Sequence, residues 1–110
     1  VMSLTVEEFW AVALTSSKSL ISMRCLFRGT VDCCLVHPRD LIRFACTNNA
    51  SSVLVAHSHP SGQCLPSPED IQLTHRLRQT CNLIEIPMVD HLIVTESDHF
   101  SFLEARWLAD

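Results

Sequence analysis

At 110 residues, 47% of them hydrophobic, the chain fits one domain with its own core, and its two glycines and five prolines exclude a linker or low-complexity segment. The net charge is −4, with Arg24, Arg28, Arg39, Arg43, Arg76 and Arg78 scattered among acids. This argues against direct nucleic-acid binding, because neutralising phosphates demands a clustered basic surface. No apolar run approaches the ~20 residues of a membrane-spanning helix. The start, VMSLTVEEFWAVAL, has no basic region and is interrupted by Glu7 and Glu8, unlike a signal peptide. The expectation is a single soluble, cytoplasmic domain over residues 1–110.

In chain order, Phe9 to Leu14 (FWAVAL) is an apolar run of strand length, followed by a polar turn at Ser16-Ser17-Lys18. Leu20 to Phe27 suits a second strand, closing a hairpin, and Val31 to Val36 a short third strand after Gly29. His37-Pro38-Arg39-Asp40 opens a helix, with Pro at its first position and an acid in its first turn. Leu41, Phe44 and Ala45 fall at helical spacing, and Asn48-Asn49 ends the helix. Ser52 to Ala56 (SVLVA) is a buried strand running into His57-Ser58-His59-Pro60. After a loop from Ser61 to Pro66, Ser67-Pro68-Glu69-Asp70 is the best-marked helix start in the chain. Ser suits the N-cap, Pro the first position, and two carboxylates face the positive end of the helix dipole. Ile71, Thr74, Leu77 and Cys81 give this helix a buried stripe ending near Asn82. Met88 to Val94 and His99 to Phe102 are two further strands around a turn at Glu96-Ser97-Asp98, and Leu103 to Leu108 a last helical turn. The sum is an α/β fold, a mixed sheet sandwiched by helices.

The six cysteines, at 25, 33, 34, 46, 64 and 81, contain no CxxC pair. This removes the four-cysteine zinc ribbon and the thioredoxin motif. Adjacent Cys33 and Cys34 suit a reduced chain that uses cysteine as a small hydrophobe.

His57 and His59 are two apart at the end of a strand, so both imidazoles share one face. Asp70 follows one loop later, at a helix start. Strand ends and helix starts meet at the ligand-bearing edge of α/β sheets. Two imidazoles and one carboxylate leave zinc a fourth position for water, the pattern of a catalytic site. Each element has a plainer reading: an idle histidine pair, and Ser67 with Asp70 as a capping pair. Capping and ligation are compatible, and it is the combination within fourteen residues that points to metal.

The string HSHPSGQCLPSPED resembles the JAMM (MPN) metalloprotease signature, H-[ST]-H-P followed by S-x-x-D. The wider likeness is to the RadC family, through FRGTVDCCLVHPRD, SSVLVAHSHPSG, PSPEDIQLTHRL and MVDHLIV, and it runs from about Glu7 to Leu108. The resemblance implies a JAMM/MPN fold, similar in layout to cytidine deaminases. It implies Zn2+ on His57, His59 and Asp70, with Ser67 hydrogen-bonding the substrate carbonyl or its oxyanion. A glutamate near the first strand would move the proton. Such sequences have it two residues before the aromatic that opens the strand, which selects Glu7, and Glu8 is the competitor because a one-residue shift flips a side chain to the other face.

RadC-like loops usually read HNHPSG followed by Asp-Pro, whereas this one has Ser58 and Gln63-Cys64-Leu65, and Cys64 could coordinate zinc or be a passive loop thiol. Asp90-His91 also fits the family pattern, either orienting a ligand or as core residues. His37 belongs to a helix start, and His75 and His99 to the surface. Full-length relatives of this kind carry an amino-terminal helix-hairpin-helix region that these residues do not contain.

The leading expectation is a zinc-dependent hydrolase acting on a peptide or isopeptide bond of a peptide or protein substrate. Nucleobase deamination wants H-x-E with P-C-x-x-C, and neither is present. The third reading is a non-catalytic domain serving DNA repair or recombination through a protein partner, the association that the family resemblance carries.

Overall fold

In EEFWAVAL, every second residue from Phe9 enters the core: Phe9, Ala11 and Ala13 are all fully buried. That two-residue period defines β1 (Glu7–Leu14), two residues longer at its start than FWAVAL suggests. A turn with Lys18 in the left-handed region (φ 67°) and a Thr15–Ser19 backbone hydrogen bond returns the chain as β2 (Leu20–Gly29). The β1–β2 register slips between Phe9 and Trp10 and between Ala13 and Leu14. These irregularities, and the position of β2 at the sheet edge, explain its poor alternation.

The computed structural model describes residues 2–29 and 36–108. The strand expected at Val31–Val36 lies outside the described residues except for Val36, which is buried, and so do Cys33 and Cys34.

Helix α1 (Pro38–Thr47) begins at the expected proline and buries Leu41, Phe44 and Ala45. Asn48 caps its end, donating from Nδ2 to the Phe44 carbonyl, and Asn49 takes the left-handed turn at φ 55°. β3 (Ser52–Ser58) follows, then α2 (Pro68–Leu83), β4 (Met88–Val94) and β5 (His99–Ser101). The sheet order is β2-β1-β3-β4-β5. β3 and β4 are parallel, joined across α2 as a parallel pair requires, and every other neighbouring pair is antiparallel. This is the expected α/β class, with a mixed sheet and two helices.

Phe9, Ala11 and Ala13 of β1, Val53 and Val55 of β3 and Ile93 of β4 form one core with Leu41 and Phe44 of α1 and Leu73, Leu77 and Cys81 of α2. Both helices thus serve one face of the sheet, where a sheet sandwiched by helices was expected. The alternate residues Trp10, Val12, Leu54, Ala56 and Leu92 are half-buried. Leu73 joins the stripe expected on α2, and Ile71 is only half-buried.

After β5 the chain forms hydrogen-bonded turns in place of the expected helical turn at Leu103–Leu108. Arg106 sits at φ 62°, which breaks right-handed helical geometry. Phe100, Phe102 and Trp107 pack there, with ring centroids 5.1–5.6 Å apart.

Candidate metal centre

The site grows from the pleat of β3. Val53, Val55 and His57 point to the core face, so His57 is carried inward with the two valines, 1% exposed. Phe9 lies opposite it on β1 and Ile93 beside it on β4. In these apolar surroundings the imidazole is kept neutral: burial drives its pKa down to about 4, against the opposing pull of Asp70.

His59 lies just beyond the strand. Its backbone N–H donates to the Val94 carbonyl, and a tight turn closes by the Gly62 N–H to the His59 carbonyl, with Gly62 at φ 86°. The His59 ring nitrogen Nδ1 is 2.7 Å from the Gln63 carbonyl oxygen. A carbonyl only accepts, so Nδ1 carries the hydrogen, and Nε2 of the neutral ring presents a lone pair.

That lone pair faces Asp70. Helix α2 opens with a capping box: Ser67 Oγ accepts from the Asp70 N–H at 3.1 Å, and Asp70 Oδ2 accepts from the Ser67 N–H at 2.9 Å. The box turns the Asp70 carboxylate toward both histidines, with Oδ1 3.7 Å from His57 Nε2 and Oδ2 3.3 Å from His59 Nε2. Burial works to raise the Asp70 pKa, but the His59 ring, the Ser67 N–H and His57 together outweigh it and hold the carboxyl down at about 2. The same contact raises His59.

One donor atom from each of His57, His59 and Asp70 lies within 4.8 Å of the others. The two Asp70–imidazole contacts, 3.7 and 3.3 Å, run to different carboxylate oxygens, one for each ring. A carboxylate oxygen facing two imidazole nitrogens is stable only with a cation or a proton between them. The three residues could therefore hold a metal ion.

The two glutamates part company on β1. Phe9 pairs with His57, and Glu7, two residues earlier on β1, shares the sheet face of Phe9. Glu7 also adds to the field that raises His59. Glu8 faces the other way and is bound up: Trp10 Nε1 and the Ser3 N–H donate to Oε1, and Arg28 Nε stands 3.0 Å from Oε2. The Trp10 and Ser3 hydrogen bonds, with Arg28, lower its pKa against a smaller opposing effect of burial.

Three features of the site were not assigned from sequence. Ser58, fully buried, accepts from the Glu8 N–H and donates to the Val6 carbonyl, tying the start of β1 to the histidine strand. Gln63 acts through its backbone. Thr74, one turn after Asp70, joins Asp70 to His91. Cys64 is not part of the cluster: its thiol points to Asp98 Oδ2 at 3.6 Å, and burial and Asp98 push its pKa up. His75 and His99 are exposed, as expected.

A family model described as a RadC-like JAB domain matches residues 1–107. The chain is 42% identical to a UPF0758 protein of Haemophilus ducreyi over 101 residues, covering 92% of this chain and 45% of the relative. It is 41% identical to one of Actinobacillus pleuropneumoniae over 101 residues (92% and 46%), and 42% identical to one of Burkholderia cenocepacia over 102 residues (93% and 40%). The chain thus spans less than half the length of these curated relatives.

Proposed function

The chain belongs to the RadC-like JAB domain family, and from that premise we propose that it is a zinc-dependent hydrolase of peptide or isopeptide bonds. The observation that carries the reading is the cluster itself. Three metal-type donors lie within 4.8 Å of one another, and Ser67 adjoins them through the capping box with Asp70. His57, His59 and Asp70 would hold the ion. A zinc ion held there would supply Lewis acidity for a carbonyl and for water near neutral pH.

The remaining work belongs to the chain's own side chains. Glu7, on the Phe9 face of β1, takes the proton from the attacking water and returns it to the leaving nitrogen. Ser67 Oγ uses a lone pair to cap α2, which leaves its O–H to donate to the carbonyl oxygen as negative charge develops. Glu8 is unsuited to the shuttle because its carboxylate is occupied on the opposite face by Trp10, Ser3 and Arg28. The substrate class is an amide in a peptide or protein.

The test couples metal analysis to turnover. Protein purified without chelator or affinity tag should contain about one zinc per chain and cleave members of a quenched-fluorescent peptide library. Glu7→Gln should keep the zinc and slow cleavage by about 10²–10⁴-fold. A zinc-loaded Glu7→Gln variant that cleaves as fast as the wild type would remove Glu7 from the mechanism. Protein that takes up no zinc at neutral pH would remove the hydrolase reading.

A further inference from the structure

His91 is fully buried on β4, and nothing in the hydrolysis described above uses it. Its ring stacks on Phe102 with centroids 4.8 Å apart, and it lies 5.7 Å from the ring of His57. Its Nδ1 is 2.6 Å from Thr74 Oγ1. The Thr74 hydroxyl also donates its one hydrogen to the Asp70 carbonyl at 2.7 Å. With that hydrogen committed, Thr74 can only accept from His91, so His91 carries its hydrogen on Nδ1 and presents a lone pair on Nε2.

The complementary requirement falls on His57. If Nε2 of His57 binds metal, its hydrogen must sit on Nδ1. His57 Nδ1 and His91 Nε2 are the two buried side-chain nitrogens without a hydrogen-bond partner among the described residues. One is then a donor and the other an acceptor, on neighbouring rings within the core. Buried polar groups are rarely left unpaired; the two do not hydrogen-bond each other in this structure, and one buried water or a small ring rotation would join them.

We propose that His91 is a positioning residue for the metal site: its Nε2 accepts the Nδ1–H of His57, through one bridging water or on a small ring rotation, and so fixes the orientation and tautomer of that ligand. The inference rests on the metal reading above. The chain of contacts runs from the Asp70 backbone through Thr74 to His91 and on to His57, so that one ligand's backbone sets the tautomer of another. His59 has a simpler anchor in the Gln63 carbonyl, and His91 gives His57 the equivalent. Metal ligands of this kind normally have such a partner on the second ring nitrogen.

The experiment is NMR of ring-¹⁵N-labelled histidine in the full chain, without and with one equivalent of zinc, beside zinc affinities of His91→Leu, His91→Gln and Thr74→Val at one pH. In the wild-type protein His91 should be protonated at Nδ1 in both states, and His57 at Nδ1 once zinc is bound. His91→Leu should weaken zinc by about 10–100-fold, with His91→Gln, whose carbonyl can accept, recovering most of the loss. Thr74→Val should release the fixed tautomer of His91. A zinc-bound His57 protonated at Nε2, a His91 hydrogen on Nε2, or a folded His91→Leu with wild-type affinity would overturn the proposal while leaving the metal site standing. Absence of zinc binding by the wild-type protein would instead overturn the reading beneath it. If His91→Leu does not fold, the wild-type tautomers decide.

Discussion

Asp70 and Asp90 are both buried carboxylates, 5% and 8% exposed, yet their surroundings are opposites. Asp90 is met by groups that must donate: Oδ1 accepts from the N–H groups of His91 and Leu103, and Oδ2 accepts from Ser101 Oγ at 2.6 Å. Ser101 Oγ accepts in turn from the Glu104 N–H, so the knot ties β4 to the turns beyond β5. Asp70 has one fixed donor, the Ser67 N–H, and otherwise faces two imidazole nitrogens that carry no hydrogen when their rings are neutral and protonated at Nδ1. A carboxylate saturated by N–H and O–H groups is architecture. One that faces lone pairs is waiting for a cation, and this criterion separates the two aspartates where burial does not.

The largest effect on stability should come from breaking the saturated site. Three hydrogen bonds to a buried charged group end at Asp90, each worth about 1.5–3 kcal/mol. Asp90→Ala should therefore lower the unfolding free energy by roughly 4–5 kcal/mol in urea titrations, the low end of that sum because the cost of the buried charge is removed with it. The fraction that remains folded should bind zinc at wild-type stoichiometry. A fully folded Asp90→Ala protein that had lost its zinc would show that the two aspartates are not separable.

A smaller loss should follow acidification of the metal-free protein. Burial lowers the pKa of His57 to about 4 and of His91 to about 3, in both cases by penalising the charged ring. Below the ordinary histidine value of ~6.5 the unfolded chain takes up protons that these folded rings refuse, so stability falls as pH falls from about 6.5 toward 4. His59, raised by Asp70, works in the opposite sense. The net loss between about pH 7 and pH 4.5 should be read as a drop in the urea midpoint, and saturating zinc, which keeps the proton off His59 as well, should steepen it. A midpoint that does not move over this range would mean the buried rings are solvated.

What the sequence revealed divides along the same line of local against distant contacts. The start of α2 was legible because Ser67, Pro68 and Asp70 act on neighbouring backbone. β4 matches its expected bounds because its core periodicity is its own. The metal cluster was legible from spacing on a strand and a helix start, aided by the family resemblance. The fate of Glu8 was not, because Arg28 reaches it from the hairpin partner. Nor was the partner of Cys64, since Asp98 lies 34 residues away. Thr74 and His91 meet across 17 residues and two elements, and no local signal joins them. Leu73 was missed because the buried face of α2 is wider than the single stripe assumed.

The smallest expected loss of stability is the most informative about function. Asp70→Ala removes half of the capping box, worth about 1 kcal/mol. It also removes a carboxylate whose depressed pKa contributes about 2 kcal/mol above about pH 4, an effect that fades as pH falls through about 2. Against this, deleting Asp70 relieves a buried charge, so the net cost at neutral pH should be no more than about 1–2 kcal/mol. Ser67 still offers Oγ to the backbone of α2, and the core residues Leu73 and Leu77 are untouched, so the variant should fold. Yet it should bind no stoichiometric zinc, and added zinc, which should raise the melting temperature of the wild-type protein, should leave the variant's unchanged. A variant that kept full zinc would return Asp70 to the same class as Asp90, a carboxylate whose work is to hold a helix start in place.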